Sequence, residues 1–171
     1  AETVVTKGQK LSPALIGLIA SAGLQSASVH KVPKVAVIAS GDEVVAPGKP
    51  LTEGKLYASN MVEICSWLTF FGIPYSAVLV GDSQQEIQSA ITNQLAEADA
   101  FVTSGGAWGS ERDLILKVVA KLDWQGLYRR VRMGPGKPVG FGLLEQKPFF
   151  ILPGGPPSNE MAFLQLALPA I

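Results

Sequence analysis

The sequence predicts an α/β domain of three layers. A mostly parallel mixed sheet carries helices on both faces, and a short N-terminal helix–strand arm precedes it. Three observations predict this. Apolar-rich runs at Val35 to Ala39, Tyr75 to Val80 and Ala100 to Thr103 have the pattern of strands covered on both faces. Segments of helical apolar spacing separate these runs, which implies parallel pairing through right-handed crossovers. Toward the C-terminus the alternation gives way to strands close together in sequence, so antiparallel strands join one side of the sheet.

Composition agrees with a globular domain. The chain has 171 residues, 47% apolar and 16% charged, enough to build a full core and unlike a disordered segment. Fourteen basic and fourteen acidic residues cancel, and no basic stripe points to nucleic acid. The cluster Arg129-Arg130-Val131-Arg132 is expected on a strand or its edge. Cys65 is the single cysteine and His30 the single histidine, which excludes an intrachain disulfide and a Cys/His zinc site. Cys65 falls on the apolar face of a predicted helix, as buried packing.

No apolar run is long enough to span a bilayer, and no membrane partner is expected. Lys7 and Lys10 before Ala14 to Ala22 imitate a secretory signal, but Ser12-Pro13 and Gly23 are the start and stop of a native helix. We expect a piece of a longer cytoplasmic protein, with residues 1–32 a lead-in from a neighbouring domain and 33–171 the main domain.

Taken in order, residues 13–22 predict a short helix and Ala27 to Val32 an edge strand or arm. Val35 to Ala39 is the first core strand, followed by a long polar loop. The spacing of Met61, Ile64, Cys65, Leu68 and Phe71 predicts a helix over 60–71, ended by Gly72 with Ile73 as its closing contact. Tyr75 to Val80 is the second core strand. Ser83 and Glu86 predict a capping box for a helix over 84–98. Ala100 to Thr103 is the third core strand, and 113–122 the helix after it. Tyr128 to Met133, Val139 to Leu143 and Phe149 to Leu152 predict strands, the last two joined by a turn at Glu145-Gln146-Lys147. A final helix is expected around 159–168.

Four polar loops follow the apolar strands: Ser40 to Glu43, Gly81 to Ser83, Thr103 to Asp113, and Pro153 to Asn159. In a parallel sheet they share one edge, where ligands of open α/β sheets bind. Gly105-Gly106 lets backbone N–H groups approach an anion, and the next helix adds its dipole. Asp42, Glu43, Asp82 and Asp113 at that edge suit Mg²⁺, which takes one or two carboxylates with substrate oxygens and water. Ser40 with Glu43 and Ser110 with Asp113 also fit helix caps, as does Asp82. Lys137, between Gly136 and Pro138, is placed to meet a phosphate or oxyanion, or is a solvated turn lysine. Neither G-x-G-x-x-G nor G-x-x-x-x-G-K-[ST] occurs, and Ser104 and Ser158 lack a histidine for a hydrolase triad.

Five motifs then carry a resemblance: Val37-Ile38-Ala39-Ser40-Gly41-Asp42-Glu43, Ser59-Asn60, Thr103-Ser104-Gly105-Gly106, Pro135-Gly136-Lys137-Pro138 with Phe141-Gly142, and Leu152-Pro153-Gly154 with Pro156. In this order and spacing the chain resembles the central, molybdopterin-binding domain of molybdopterin molybdotransferases over roughly 33–171. The resemblance implies a transferase of molybdenum cofactor biosynthesis. Its substrates would be adenylylated molybdopterin and molybdate, with Mg²⁺ present and AMP released. It implies Glu43, Asp82 and Asp113 as catalytic and metal positions. For substrate it implies Thr103, Ser104, Gly105, Gly106, Lys137, Pro153, Gly154, Pro156 and Ser158. It also implies a homo-oligomer whose partner subunit completes the site, a dimer for the full-length protein or a trimer for an isolated domain.

The chain departs from that pattern at Ala107-Trp108-Gly109-Ser110, at Gly134 in place of a lysine, and at Gly155 in place of an asparagine. These departures motivate an alternative, a catalytically impaired pterin sensor or interaction module. The Arg112-Asp113 pair motivates another, a molybdopterin adenylyltransferase-like domain.

Overall fold

The structure is a computed structural model that describes residues 3–105 and 113–171. It divides into two compact units, Ala1–Lys31 and Val32–Ile171.

In the first unit, helix α1 spans Pro13–Ser21, with Ser12 accepting the Leu15 N–H at 3.2 Å and proline at its first turn. Residues 27–31 form no strand, and neither does Val32 at the start of the second unit. The strand expected over Ala27 to Val32 is therefore corrected. These residues are exposed throughout, and a strand with no neighbour to take its backbone groups is not stable in water.

The second unit holds a six-stranded sheet. Strand β1 (Val35–Ser40) pairs in parallel with β4 (Tyr75–Val80) on one side and β5 (Ala100–Ser104) on the other. β5 pairs in parallel with β8 (Lys147–Leu152), which pairs antiparallel with β7 (Gly140–Leu144), and β7 antiparallel with β6 (Gln125–Tyr128). The order is β4-β1-β5-β8-β7-β6, so the chain steps to opposite sides of β1 after β1 and after β4. The gap between the carboxyl ends of β1 and β5 is the topological switch point of the sheet.

Side-chain alternation along the strands feeds two cores. Ala36, Ile38, Phe101, Phe149 and Ile151 pack against Ile87 and Ile91 of α3 (Gln84–Thr92) and against Ile115, Val118 and Val119 of α4 (Leu114–Lys121). On the other face Val35, Val37, Val102, Phe150 and Leu152 meet Ile64 and Leu68 of α2 (Ser59–Phe70) and Ala162 of α5 (Pro156–Ala162). The predicted three-layer mixed sheet is thus present. Helix α2 ends as its sequence requires. Gly72, at φ +67°, gives its N–H to Thr69 O at 3.0 Å, and Ile73 gives its own to Leu68 O at 2.8 Å. Phe71, expected in the core, is 53% exposed, whereas Cys65 is half-buried, and burial pushes its thiol up.

Other boundaries shift for physical reasons. The polar loop after β1 contains a two-stranded parallel ladder, β2 (Val44–Val45) with β3 (Leu56–Tyr57). Helix α3 stops at Thr92 rather than 98. The Thr92 hydroxyl donates to the carbonyls of Gln88 and Ser89, and short-range turns carry the chain onward. Only half the expected capping box forms, because Glu86 Oε2 accepts the Gly81 N–H at 2.9 Å instead of turning back to Ser83. The strand expected at Tyr128 to Met133 lies earlier, at Gln125–Tyr128. Gly142 of β7 lets Gln125 and Trp124 close in; a Cβ there would stand 2.3 Å from Gln125 O. Arg129 to Arg132 consequently leave the sheet, and Val131 N–H bonds to Lys137 O at 3.1 Å. The β7–β8 turn needs only Glu145 (φ +47°) and Gln146 (φ +63°), so Lys147 belongs to β8. The last helix begins at Pro156 and continues as a π-helical turn over Phe163–Ala167. Among the described residues no helix is long and apolar enough to cross a membrane.

Candidate functional site

A cleft of about 620 Å³ opens over the switch point. Its floor is Ala39, Ser40 and Gly41 at the carboxyl end of β1, and Ser104 and Gly105 at that of β5. Glu43, Val44, Leu56 and Tyr57 of the small ladder, Ser59 and Asn60 of α2, and Asp82 contribute walls, with Leu114, Ile115, Gly154 and Pro156.

Ser104 is the hub of this floor. It is 4% exposed, and its Oγ accepts from Asn159 Nδ2 at 2.9 Å and from Asn60 Nδ2 at 3.4 Å. Asn159, 1% exposed, also donates to Pro153 O at 2.7 Å, and Asn60 donates to Gly154 O at 2.8 Å. Two amides thereby tie the end of β5 to the loop after β8 and to the first turns of α2 and α5. Gly105 has φ +120°, and a Cβ on it would stand 2.3 Å from Ser40 O, so the ends of β1 and β5 approach closely only because the residue is glycine.

The acidic residues separate into two groups. Asp82 Oδ2 accepts the Asp42 N–H at 3.3 Å while Asp42 Oδ1 accepts the Asp82 N–H at 2.9 Å, a reciprocal clasp between the loops after β1 and β4. Asp82 is therefore not the cap of α3; Ser83 is, accepting the Glu86 N–H at 3.5 Å. Glu43 and Asp82 both line the cleft and are exposed. Asp113 does not line it. It caps α4 through Oδ1, which accepts the Leu116 N–H at 3.2 Å, and so positions Leu114 and Ile115 in the cleft wall. Its Oδ2 is buried with no hydrogen-bond partner among the described residues. Burial holds the Asp113 carboxyl above the usual range, opposed by the Leu116 N–H and the charges of Arg129 and Lys117.

Among the described residues no three His, Cys, Asp or Glu side chains gather as a metal site, so the expected trio of Glu43, Asp82 and Asp113 is not assembled. The pair Glu43 and Asp82 still fits Mg²⁺, which needs few protein ligands when a phosphate supplies the others.

Of the other expected contacts, Ser104, Gly105, Gly154 and Pro156 meet in the cleft. Thr103 is fully buried in the sheet, donating to Phe150 O at 3.3 Å, and does not line the cleft. Pro153 is buried and presents its carbonyl to Asn159. Lys137 is exposed on a turn, and Ser158 is half-buried in α5; neither lines the cleft. Gly106 and the Ala107 to Arg112 segment lie outside the described residues. Sequence reasoning did not single out Asn159, because an asparagine at a helix start ordinarily reads as a solvated cap. It noted Asn60 beside Ser59 but gave its side chain no role.

Comparison with known proteins places this geometry. A molybdopterin molybdenumtransferase of Haemophilus influenzae is 33% identical over 171 residues, covering 99% of this chain and 42% of the relative. The molybdenum cofactor synthesis protein cinnamon of Drosophila melanogaster is 33% identical over 162 residues, covering 94% of this chain and 27% of that protein. A crystal structure of the molybdopterin biosynthesis moea protein of Pyrococcus horikosii superimposes with a TM-score of 0.80 at 31% identity, covering 97% of this chain and 41% of that one. The chain thus spans about two fifths or less of the length of these relatives. With residues 36–171 matching the family model described as "Probable molybdopterin binding domain", the chain belongs to the molybdopterin-binding domain family of molybdenum cofactor biosynthesis.

Proposed function

We propose that the cleft binds adenylylated molybdopterin, and that the complete cytoplasmic protein uses it to insert molybdate with release of AMP. One observation carries the reading: Ser104 and Gly105 sit at the switch point of a parallel sheet, with the hydroxyl and the glycine backbone held toward a cleft edged by Glu43 and Asp82. Small residues at a strand end are what a phosphate-bearing ligand needs, because its oxygens can then approach backbone N–H groups. The names of the relatives, which refer to molybdenum transfer, support the same reading.

In this proposal the chain's own residues mainly bind and orient. The Ser104 hydroxyl donates to a phosphate oxygen, while Asn159 and Asn60 hold its Oγ in place. Gly105 keeps the approach open. The clasp between Asp42 and Asp82 fixes the loop that carries the Asp82 carboxylate. Glu43 and Asp82 would hold Mg²⁺, which when bound offsets phosphate charge and polarises the phosphoryl oxygens. Asp113 sets the start of α4 and with it the cleft wall. A second subunit of the complete protein supplies the remaining contacts around the ligand.

The test is titration calorimetry of the folded chain with adenylylated molybdopterin in Mg²⁺, followed by AMP release from the complete protein given molybdate. Saturable binding weakened by Asp82→Asn, with AMP release lost in the same variant, is the expected result. No binding by a folded sample, including the complete protein, refutes the proposal. Binding without AMP release would favour the sensor reading that Gly134 and Gly155 motivate.

A further inference from the structure

We infer that Tyr57 is the ring-binding residue of the cleft, its aromatic ring serving as the platform on which the planar heterocycle of the bound ligand stacks; this rests on the ligand class proposed above. The parts of the cleft differ in chemistry. Ser104, Gly105, Glu43 and Asp82 offer small or charged groups, which suit a phosphate and its metal. Strand β3 offers the opposite. Its Leu56 and Tyr57 both line the cleft and are 63% and 42% exposed. Large apolar side chains exposed in a concave site gain by being covered, and a phosphate cannot cover them. A flat ring can. Among the described residues Tyr57 is the only aromatic one that lines the cleft.

The ring is held from both ends. Leu56 N–H donates to Glu43 O at 2.7 Å and Ala58 N–H to Val45 O at 2.9 Å, so the backbone on either side of Tyr57 is bonded to β2 and the residue before it. Glu43 thereby joins the charged edge of the cleft to the strand that carries Tyr57. At the other end the Tyr57 hydroxyl donates to Lys49 O at 3.1 Å, across the loop between β2 and β3. The polar tip is therefore satisfied within the protein, and it is the ring that remains for a ligand. A side chain already fixed loses little freedom on binding, so more of the contact energy appears as affinity. Stacking uses the π-face alone and is open to any planar heterocycle. Two parts of the proposed ligand qualify, the pterin and the adenine of the nucleotide.

The experiment titrates three stable probes into the whole chain by calorimetry, with Mg²⁺ present: ribose 5-phosphate, AMP and 6-hydroxymethylpterin phosphate. Ribose 5-phosphate reads the phosphate contacts without a ring. At least one of the two ring-bearing phosphates should bind about tenfold tighter, the contribution of one stacked ring. In Tyr57→Ala, checked for folding by circular dichroism, that advantage disappears while the affinity for ribose 5-phosphate is kept. The probe that loses its advantage identifies which ring meets Tyr57. Tyr57→Phe, which lacks the bond to Lys49 O but keeps the ring, retains the advantage. Equal binding of all three probes by the native chain, which requires no variant to fold, overturns the inference alone. An undiminished advantage in folded Tyr57→Ala also overturns it. An equal loss in Tyr57→Ala and Tyr57→Phe does the same, since Tyr57 would then only brace its loop. Failure of all three probes to bind overturns the reading of the cleft and this inference with it.

Discussion

Substituting Gly105 by alanine tests whether the cleft floor is built on the contact between β1 and β5. Two costs add. The backbone at φ +120° lies in a region that L side chains rarely adopt, which costs about 1–3 kcal/mol. The new methyl would stand 2.3 Å from Ser40 O, with Ser40 Oγ at 3.1 Å, so a backbone carbonyl rather than a flexible side chain must give way. Overpacking of that kind costs about 1–3 kcal/mol, for a total of about 2–6 kcal/mol. Gly72→Ala is the internal control. Gly72 also has a positive φ, +67°, but nothing lies within 4 Å of its Cβ position, so it should lose only the conformational term of about 1–2 kcal/mol. Urea unfolding followed by far-ultraviolet circular dichroism reads both, from midpoints at a common m value. If Gly105→Ala loses no more than Gly72→Ala, the close approach of the strand ends is not a structural constraint and the reasoning fails.

Three further outcomes are expected. Asn159→Ala removes the bonds to Ser104 Oγ and Pro153 O in a fully buried place, and should lower stability by about 2–4 kcal/mol in the same urea assay; a change near zero would mean the amide does not hold the floor. Asp113 has a folded-state pKa raised by burial, so the native state binds more protons than the unfolded one and stability falls as pH rises above the unfolded value of 3.8. The neutral amide of Asp113→Asn keeps an oxygen for the Leu116 N–H and removes that decline, so the two unfolding midpoints, measured between pH 4 and 7, should diverge in favour of the variant as pH rises; parallel curves would contradict the burial argument. Asp42→Ala opens the clasp on Asp82 and should weaken ligand binding more than it lowers stability, because both loops are exposed; an unchanged affinity would show that Asp82 needs no positioning.

Local patterns legible in the sequence were those whose cause is local. Val35 to Ala39 has one plausible state because every residue is apolar and both faces must be covered, and Gly72-Ile73-Pro74 ends a helix by chemistry confined to those residues. Asp113 was legible as both cap and site residue, and the structure shows the cap. What the sequence did not show depends on distant partners. Val44–Val45 and Leu56–Tyr57 are too short to signal strands until each meets the other. The strand near Tyr128 moved because Gly142, in the neighbouring strand, makes room for Trp124 and Gln125. Asn159 is the sharpest case, since its partner Ser104 lies 55 residues earlier.

The division of labour in the cleft follows from the same distinction. The ends of β1 and β5 lie at the centre of the sheet, where neighbouring strands leave room only for small side chains such as Ser40, Ser104 and Gly105. Such residues can admit an anion closely. The side chains that brace the floor come from helices, Asn60 and Asn159 from the first turns of α2 and α5. Because both amides converge on one hydroxyl, a ligand that engages Ser104 bears on both helices and on the Pro153-Gly154 loop at once. Substitutions at Asn60 and Asn159 should therefore be non-additive with Ser104→Ala, with a coupling of about 0.5–3 kcal/mol in a double-mutant cycle of unfolding. Additivity within error would mean that the three side chains act independently and that the hub is only a crossing of unrelated bonds.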